Sequence, residues 1–337
     1  MRNERLTYRI LLFISALLIA ACSNDSDEFK EPDNCLSMVS FTRGDEPSNT
    51  FTVTDDYFPI GVFLVDDDGT TATKSGRFVF KANETIWKSS IEVTSIHDYA
   101  IYGYAPANVG TVTLSDETLD GATMTFSNLP TVSSQDICFV VGVQQVNNIN
   151  DTKNIPLGQF GFTGKSEKNF VNLLMDHVYA SICFKVEIDP EYAALRGIKL
   201  RGMTLQSTKA TAKATVELAA NMENTSPVVS ATYSDLAGTS REAQFFDSDT
   251  GVDLTPYAAL QATCCFVPTL ANDLSLITTY DVYDRKTKKI SERTATNKLP
   301  NITIARGKRM TMTLTVQPTY LYVLSDNDLD NPTITIN

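Results

Sequence analysis

Cys22 is the residue whose surroundings most clearly specify chemistry. It follows Ile19-Ala20-Ala21 and a leader in which Arg2, Arg5 and Arg9 precede an apolar run, Ile10 to Leu18, interrupted only by Ser15. A basic start, a short apolar stretch and small residues before a cysteine form a lipobox, the signal after which a bacterial lipoprotein carries lipid on the cysteine sulfur. The apolar run is well short of the ~20 residues a spanning helix needs, so residues 1–21 read as a removable signal peptide and not as an anchor. The next residues, Ser23-Asn24-Asp25-Ser26-Asp27-Glu28, contain no apolar side chain. Such a stretch stays solvated, which makes 22–36 an acidic tether.

Other residue types that could do chemistry lack their partners. His97-Asp98 and Asp176-His177 each place an imidazole beside a carboxylate, a pairing suited to general acid–base work. No Gly-x-Ser-x-Gly elbow and no Cys/His nucleophile signature accompanies them, and no feature selects a carboxylate pair for glycoside cleavage. His177 reads as a structural hydrogen-bonding residue at a strand entry. Asp247-x-Asp249-x-Gly251-x-Asp253 and Asp326-x-Asp328-x-Asp330 resemble fragments of calcium loops. Position 12 is Ala258 in the first and Asn337 in the second, where a bidentate glutamate is required, so both read as hydrated turns. Tyr99, Tyr102 and Tyr104 could stack on a sugar, but Tyr102 and Tyr104 face one way and Tyr99 the other, as sheet packing also demands. Trp87 reads as core. After Cys22 the cysteines are Cys35, Cys138, Cys183, Cys264 and Cys265, an odd number without a C-x-x-C pair. Neither a disulfide framework nor a zinc ligand set is visible, and no cofactor motif occurs. The chain reads as a non-enzyme.

Composition narrows the partners. Loss of the leader, with its three arginines and one glutamate, moves the net charge from −12 to −14. An acidic chain is a poor ligand for nucleic acid, which needs clustered Lys and Arg at the phosphates. The densest basic cluster, Arg285-Lys286-Thr287-Lys288-Lys289, lies between two strand-like runs and reads as a hairpin tip.

The elements that position these residues are strands. Short runs rich in Thr, Val, Ile, Tyr and Phe alternate with Gly, Asn, Asp and Pro, the pattern of an all-β protein built from sandwiches. The runs include Met38–Phe41, Ile60–Val65, Tyr99–Tyr104, Ile137–Val143, Val178–Ile188, Leu260–Val267, Leu274–Tyr283 and Met310–Val316. One short helical turn is expected from Asp189 to Leu195. The polar stretch Gln144 to Lys153 suggests a boundary between domains at 37–155 and 156–317, and Asn221 to Ser240 reads as a surface loop. The tail, 318–337, holds two strand-forming segments, Tyr320-Leu321-Tyr322-Val323-Leu324 and Thr333-Ile334-Thr335-Ile336, separated by an acidic spacer. Such segments either close their own sheet or pair with the open edge of another chain.

The lipobox, Trp87 in Asn-Glu-Thr-Ile-Trp, Tyr99-Ala100-Ile101-Tyr102-Gly103-Tyr104-Ala105-Pro106, Asp176-His177-Val178-Tyr179-Ala180 and the two-segment tail together resemble the fimbrillin family of Bacteroidetes, the type V pilins and related surface lipoproteins. The acidic run after Cys22 reads either as the surface-export signal of such lipoproteins or as an ordinary linker. The resemblance implies two tandem transthyretin-like β-sandwich domains and a fibre subunit at the cell outer membrane. It implies that an arginine-specific protease removes the first strand, Met38-Val39-Ser40-Phe41, by cutting after Arg43. A C-terminal donor strand of a neighbouring subunit then fills the groove, using Tyr320–Leu324 or Thr333–Ile336. The implied partners are other pilin subunits, the outer-membrane lipid anchor of the precursor, and a receptor on a host or bacterial surface. The alternative from another class is a monomeric surface lipoprotein that binds glycan or host protein, its tail folded back permanently. The lipobox sets the first test: cells grown with labelled palmitate should mark the wild-type precursor, and Cys22→Ser should abolish the label.

Overall fold

The computed structural model describes residues 34–43, 59–68, 73–81, 85–95, 97–220, 226–257, 259–270, 273–318 and 332–336. The chain opens with β1 (Cys35–Arg43), β2 (Ile60–Asp66), β3 (Lys74–Lys81), β4 (Ile86–Glu92) and β5 (Asp98–Ala105). It continues through β6 (Thr111–Ser115), β7 (Gly121–Pro130), β8 (Val132–Ser133), β9 (Cys138–Val146), β10 (Gly161–Thr163) and β11 (Asn169–His177). Next come β12 (Ala180–Ile188), the single described helix α1 (Pro190–Leu195), β13 (Arg196–Ser207), β14 (Thr211–Ala219) and β15 (Val228–Ala237). The last strands are β16 (Arg241–Asp253), β17 (Leu260–Phe266), β18 (Leu274–Asp284), β19 (Ile290–Lys298), β20 (Arg309–Gln317) and β21 (Thr333–Ile336). The protein is all-β, and no described helix is long and apolar enough to cross a membrane.

The first sheet runs β10-β5-β2-β3-β4-β1-β11-β9, and β9 pairs back onto β5 through Phe139–Tyr104 and Cys138–Ala105. That pairing closes β5-β2-β3-β4-β1-β11-β9 into a seven-stranded barrel, with β10 added on β5. Closure removes the sheet edges a sandwich would leave open. The sequence reading expects a sandwich here; period-2 patterning reports which face is buried and says nothing of whether a sheet closes. The interior is filled from alternate positions: Leu36 and Met38 of β1, Val62 and Leu64 of β2, Ile101 of β5, Val140 of β9, and Val171, Leu173 and Met175 of β11.

The opposite faces of β5 and β9 are buried too. Tyr102, Phe139 and Val141 belong to a second, larger cluster with Met124 and Phe126 of β7, Ile182 and Phe184 of β12, Leu200 and Leu205 of β13 and Leu314 of β20. Three more sheets contribute to it: β21-β20-β12-β17-β8, β16-β13-β18-β19 and β15-β14-β7-β6. This places the change of sheet away from the boundary expected at residue 155. β10 and β11 lie beyond that position yet pair with barrel strands, whereas β7 and β8 lie before it yet pair with β14 and β17. The described residues from Asn34 on form one compact unit. The polar stretch 144–153 marks the end of β9 and an exposed loop, which composition alone does not distinguish from a linker.

Other departures share a cause. The tether expected over 22–36 gives way to β1 at Cys35, and the surface loop expected over 221–240 contains β15. Asp247, Asp249 and Asp253 sit within β16, not in a hydrated turn. β15, β16 and β19 are exposed along much of their length, so their sequences carry little apolar alternation. The basic segment 285–289 does form the β18–β19 hairpin tip. There Asp284 accepts from the backbone N–H groups of Lys286 (2.7 Å) and Thr287 (3.1 Å), and from the Thr287 hydroxyl (2.6 Å). These bonds, the hydroxyl foremost, hold its carboxyl down at a pKa of about 2. α1 occupies the expected turn, with the Asp189 carboxylate accepting from Tyr192 N at 2.9 Å and Pro190 at its first position.

The packing of β1 yields a stability test. Met38 is fully buried, so Met38→Ala in the unprocessed chain should destabilise by about 2–5 kcal/mol in urea unfolding. Val39→Ala, half-exposed on the same strand, should cost about 1 kcal/mol or less.

Candidate functional site

β1 is held on both edges. It runs antiparallel to β4, with Ser37 opposite Lys88 and Met38 opposite Trp87, and parallel to β11 from Leu36–Asn169 to Arg43–Met175. Side chains tighten the same seams: the Ser40 hydroxyl donates to Asn172 Oδ1 at 2.7 Å, and the Ser89 hydroxyl donates to the Leu36 carbonyl at 2.8 Å. Phe41 meets Trp87 edge-on with ring centroids 5.7 Å apart, and Phe80 covers the indole at 4.7 Å. The expected strand Met38-Val39-Ser40-Phe41 is thus the centre of a nine-residue strand whose last residue is Arg43. Residues 44–58 lie outside the described residues.

At the far end of the chain, β21 pairs antiparallel with β20, from Thr333–Gln317 to Ile336–Leu314. Ile334 and Ile336 pack half-buried against the larger cluster, and the Gln317 amide bonds the Thr335 hydroxyl. β21 is the edge of its sheet, with one strand neighbour among the described residues. Cys22 and Tyr320, Leu321, Tyr322, Val323 and Leu324 lie outside the described residues.

The aromatic residues weighed as a sugar platform are structural. Tyr99 and Tyr102 are fully buried and sit in different clusters, while Tyr104 packs beside Tyr102, as the alternation requires. The Tyr102 hydroxyl donates to the Thr118 carbonyl at 2.9 Å, and burial pushes its pKa up. Trp87 is buried between Phe41 and Phe80.

The histidines part company. His97 Nδ1 lies 2.7 Å from Asp67 Oδ1 at the surface, and this bond is the main reason the Asp67 carboxyl sits below its usual pKa. His177 ends β11 and is buried, with Nδ1 donating to Asp136 Oδ2 at 2.6 Å. The Cys138 thiol also donates to Asp136 Oδ2, at 3.2 Å, and its sulfur lies 3.6 Å from His177 Nδ1. Cys138 and His177 face each other directly across the β9–β11 ladder. Arg306 donates to Asp176 Oδ2 at 2.8 Å and to the His177 carbonyl at 2.6 Å. A catalytic relay needs the two imidazole nitrogens on different partners, one toward the nucleophile and one toward the carboxylate. Here Nδ1 faces both, so the trio is not such a relay. The sequence reading misses Asp136 and Cys138. Asp-x-Cys at a strand entry is a visible pattern, but its meaning depends on the cross-strand register that brings His177 to it.

Neither a family model nor a curated protein matches the chain. Solved structures do. A candidate cell adhesion protein from Bacteroides fragilis is 12% identical, with 90% of this chain and 97% of that one covered at a TM-score of 0.44. A fimbrial protein from Bacteroides vulgatus is 18% identical, with 84% and 92% covered at 0.39. A candidate cell adhesion protein from Bacteroides uniformis is 10% identical, with 90% and 98% covered at 0.40. These neighbours are Bacteroides adhesion and fimbrial proteins.

The buried trio supplies a test of its own. Asp136→Ala removes the acceptor of two buried donors and should destabilise the chain by about 3–5 kcal/mol in urea unfolding. Asp136→Asn, which keeps an acceptor oxygen, should lose less.

Proposed function

We propose that the chain is a structural subunit of a surface pilus, of the stalk type, exported as a lipoprotein on Cys22 and serving adhesion. Cleavage after Arg43 would free β1 together with the lipid anchor, and the C-terminal tail of a neighbouring subunit would replace it. The observation that carries this reading is β1 itself: the first described strand, which has Arg43 as its last residue and is paired on both edges with barrel strands. Its departure would leave the facing backbone groups of β4 and β11 unpaired and uncover the apolar places of Leu36 and Met38.

The tail suits that gap. Ile334 and Ile336 are two residues apart, the spacing of Leu36 and Met38, so they could occupy the same face of a replacement strand. On β20 the segment Thr333–Ile336 has one hydrogen-bonded strand neighbour among the described residues; between β4 and β11 it would have two, with its apolar side chains enclosed. That difference favours exchange once the gap exists. Tyr320–Leu324 offers the same alternation and could extend or replace the second segment. Because donor and acceptor are different surfaces, the contact is heterologous and would add subunits head to tail, giving a fibre where the rotation between subunits does not close a ring. Other pilin subunits are the partners this mechanism requires, with a receptor on a host or bacterial surface for adhesion and an arginine-specific protease for processing.

A second reading, a monomeric surface lipoprotein binding glycan or host protein, is favoured by one observation: β21 folds back on its own β20. Burial of Tyr99, Tyr102 and Trp87 counts against those aromatics as its sugar site. N-terminal sequencing of surface-extracted protein discriminates. The pilus reading expects the mature chain to begin at Gly44, and Arg43→Ala to retain Cys22 and lose the fibre ladder on mildly denaturing gels. An intact Arg43 in assembled material would overturn it.

A further inference from the structure

We infer that Asp136, Cys138 and His177 form a binding site for a transition-metal dication of the zinc type, at the seam where the barrel closes. A thiol, an imidazole and a carboxylate are the three donor classes zinc takes from proteins, and all three side chains are buried. Their donor atoms lie within 4.8 Å of one another. A tetrahedral ion with bonds of about 2.0–2.3 Å holds its donors roughly 3.3–3.7 Å apart. The sulfur-to-nitrogen separation of 3.6 Å already meets this, the sulfur-to-oxygen separation of 3.2 Å nearly does, and only the 2.6 Å nitrogen-to-oxygen contact must widen.

The backbone presets these positions. Cys138 and His177 are directly opposed in the β9–β11 register, and Asp136, just before the start of β9, brings its carboxylate to 3.2 Å from the Cys138 sulfur. Charge also balances: a dication against one thiolate and one carboxylate leaves the buried site neutral, so no uncompensated charge is enclosed. On binding, the thiol releases its proton to solvent, and the imidazole gives up the Nδ1 proton it donates to Asp136 and takes the neutral Nε2–H form by exchange with solvent, which frees Nδ1 as the ligand. A cavity of about 10 Å³ adjoins Asp136 and His177, with Ser181, Cys265 and Lys308 on its other walls. That is about the volume of one water, the fourth ligand such a site needs. The cationic neighbour Arg306 is already paired with Asp176, which limits its repulsion of the ion.

A metal here would tie the first residue of β9 to the last of β11, next to the Cys138–Ala105 pairing that closes the barrel. The inference does not depend on the pilus reading. It is tested on the purified full chain, refolded with Zn²⁺ and freed of loose metal by gel filtration, with the ion counted by mass spectrometry and Co²⁺ used as a spectroscopic substitute. Expected are one tightly held ion per chain, a melting temperature that rises with added Zn²⁺, and a near-ultraviolet sulfur-to-cobalt band. Cys138→Ala, which leaves the other four described cysteines in place, should lose the band and at least tenfold in affinity while keeping the far-ultraviolet spectrum of the fold. Asp136→Asn should weaken binding in the same direction, so the test does not rest on one variant. Folded wild-type chain that takes up no stoichiometric metal would overturn the assignment, as would uptake and a cobalt band unchanged in Cys138→Ala.

Discussion

The two-sided pairing of β1 is the constraint on which the barrel depends. β4 and β11 are not paired with each other, and each finds its missing neighbour in the same nine residues. Backbone N–H and C=O groups buried without partners are expensive, so a barrel with this order of strands needs something in that position. The occupant need not be β1. Any extended segment with apolar residues at alternate positions meets the same backbone and packing demands. On the pilus proposal, a strand that is first among those described, has Arg43 as its last residue and sits between two partners would both stabilise the fold and be open to exchange.

That position is not isolated from the rest of the molecule. β5 and β9 are buried on both faces, one lining the barrel and the other joining the larger cluster shared by the remaining sheets. On the pilus proposal, the wall opposite β1 would stay clamped when β1 leaves. The trio Asp136, Cys138 and His177 lies at the β9–β11 end of that clamp, and β11 is also the parallel partner of β1. Whatever holds β9 to β11 helps fix the wall that a replacement strand must meet.

Much of this was legible in the sequence wherever one face of a strand is buried and the other is wet. Met310–Val316 and Leu274–Tyr283 fall inside β20 and β18 almost to the residue, because Met312, Leu314 and Val316, or Leu274 and Leu276, alternate with exposed or half-exposed neighbours. α1 falls on the turn expected from Asp189 to Leu195, and the structure shows Asp189 capping it with Pro190 in its first turn. Exposed strands such as β15 and β16 escaped, since nothing in their patterning separates them from loops. Topology escaped for a different reason. That β8 pairs with β17, or that β9 returns to β5, follows from long-range register, which single-sequence periodicity does not encode. The same limit hid the buried trio: His177 drew notice by its residue type, but its partners across the ladder did not.

The central claim is that the barrel accepts a replacement for β1, and hydrogen–deuterium exchange on β4 and β11 tests it most directly. The amides of these strands that face β1 should be protected in the intact precursor, exchange rapidly in monomer cleaved after Arg43, and become protected again in assembled fibres. Protection that persists unchanged after cleavage, or rapid exchange that persists in the fibres, would contradict the account.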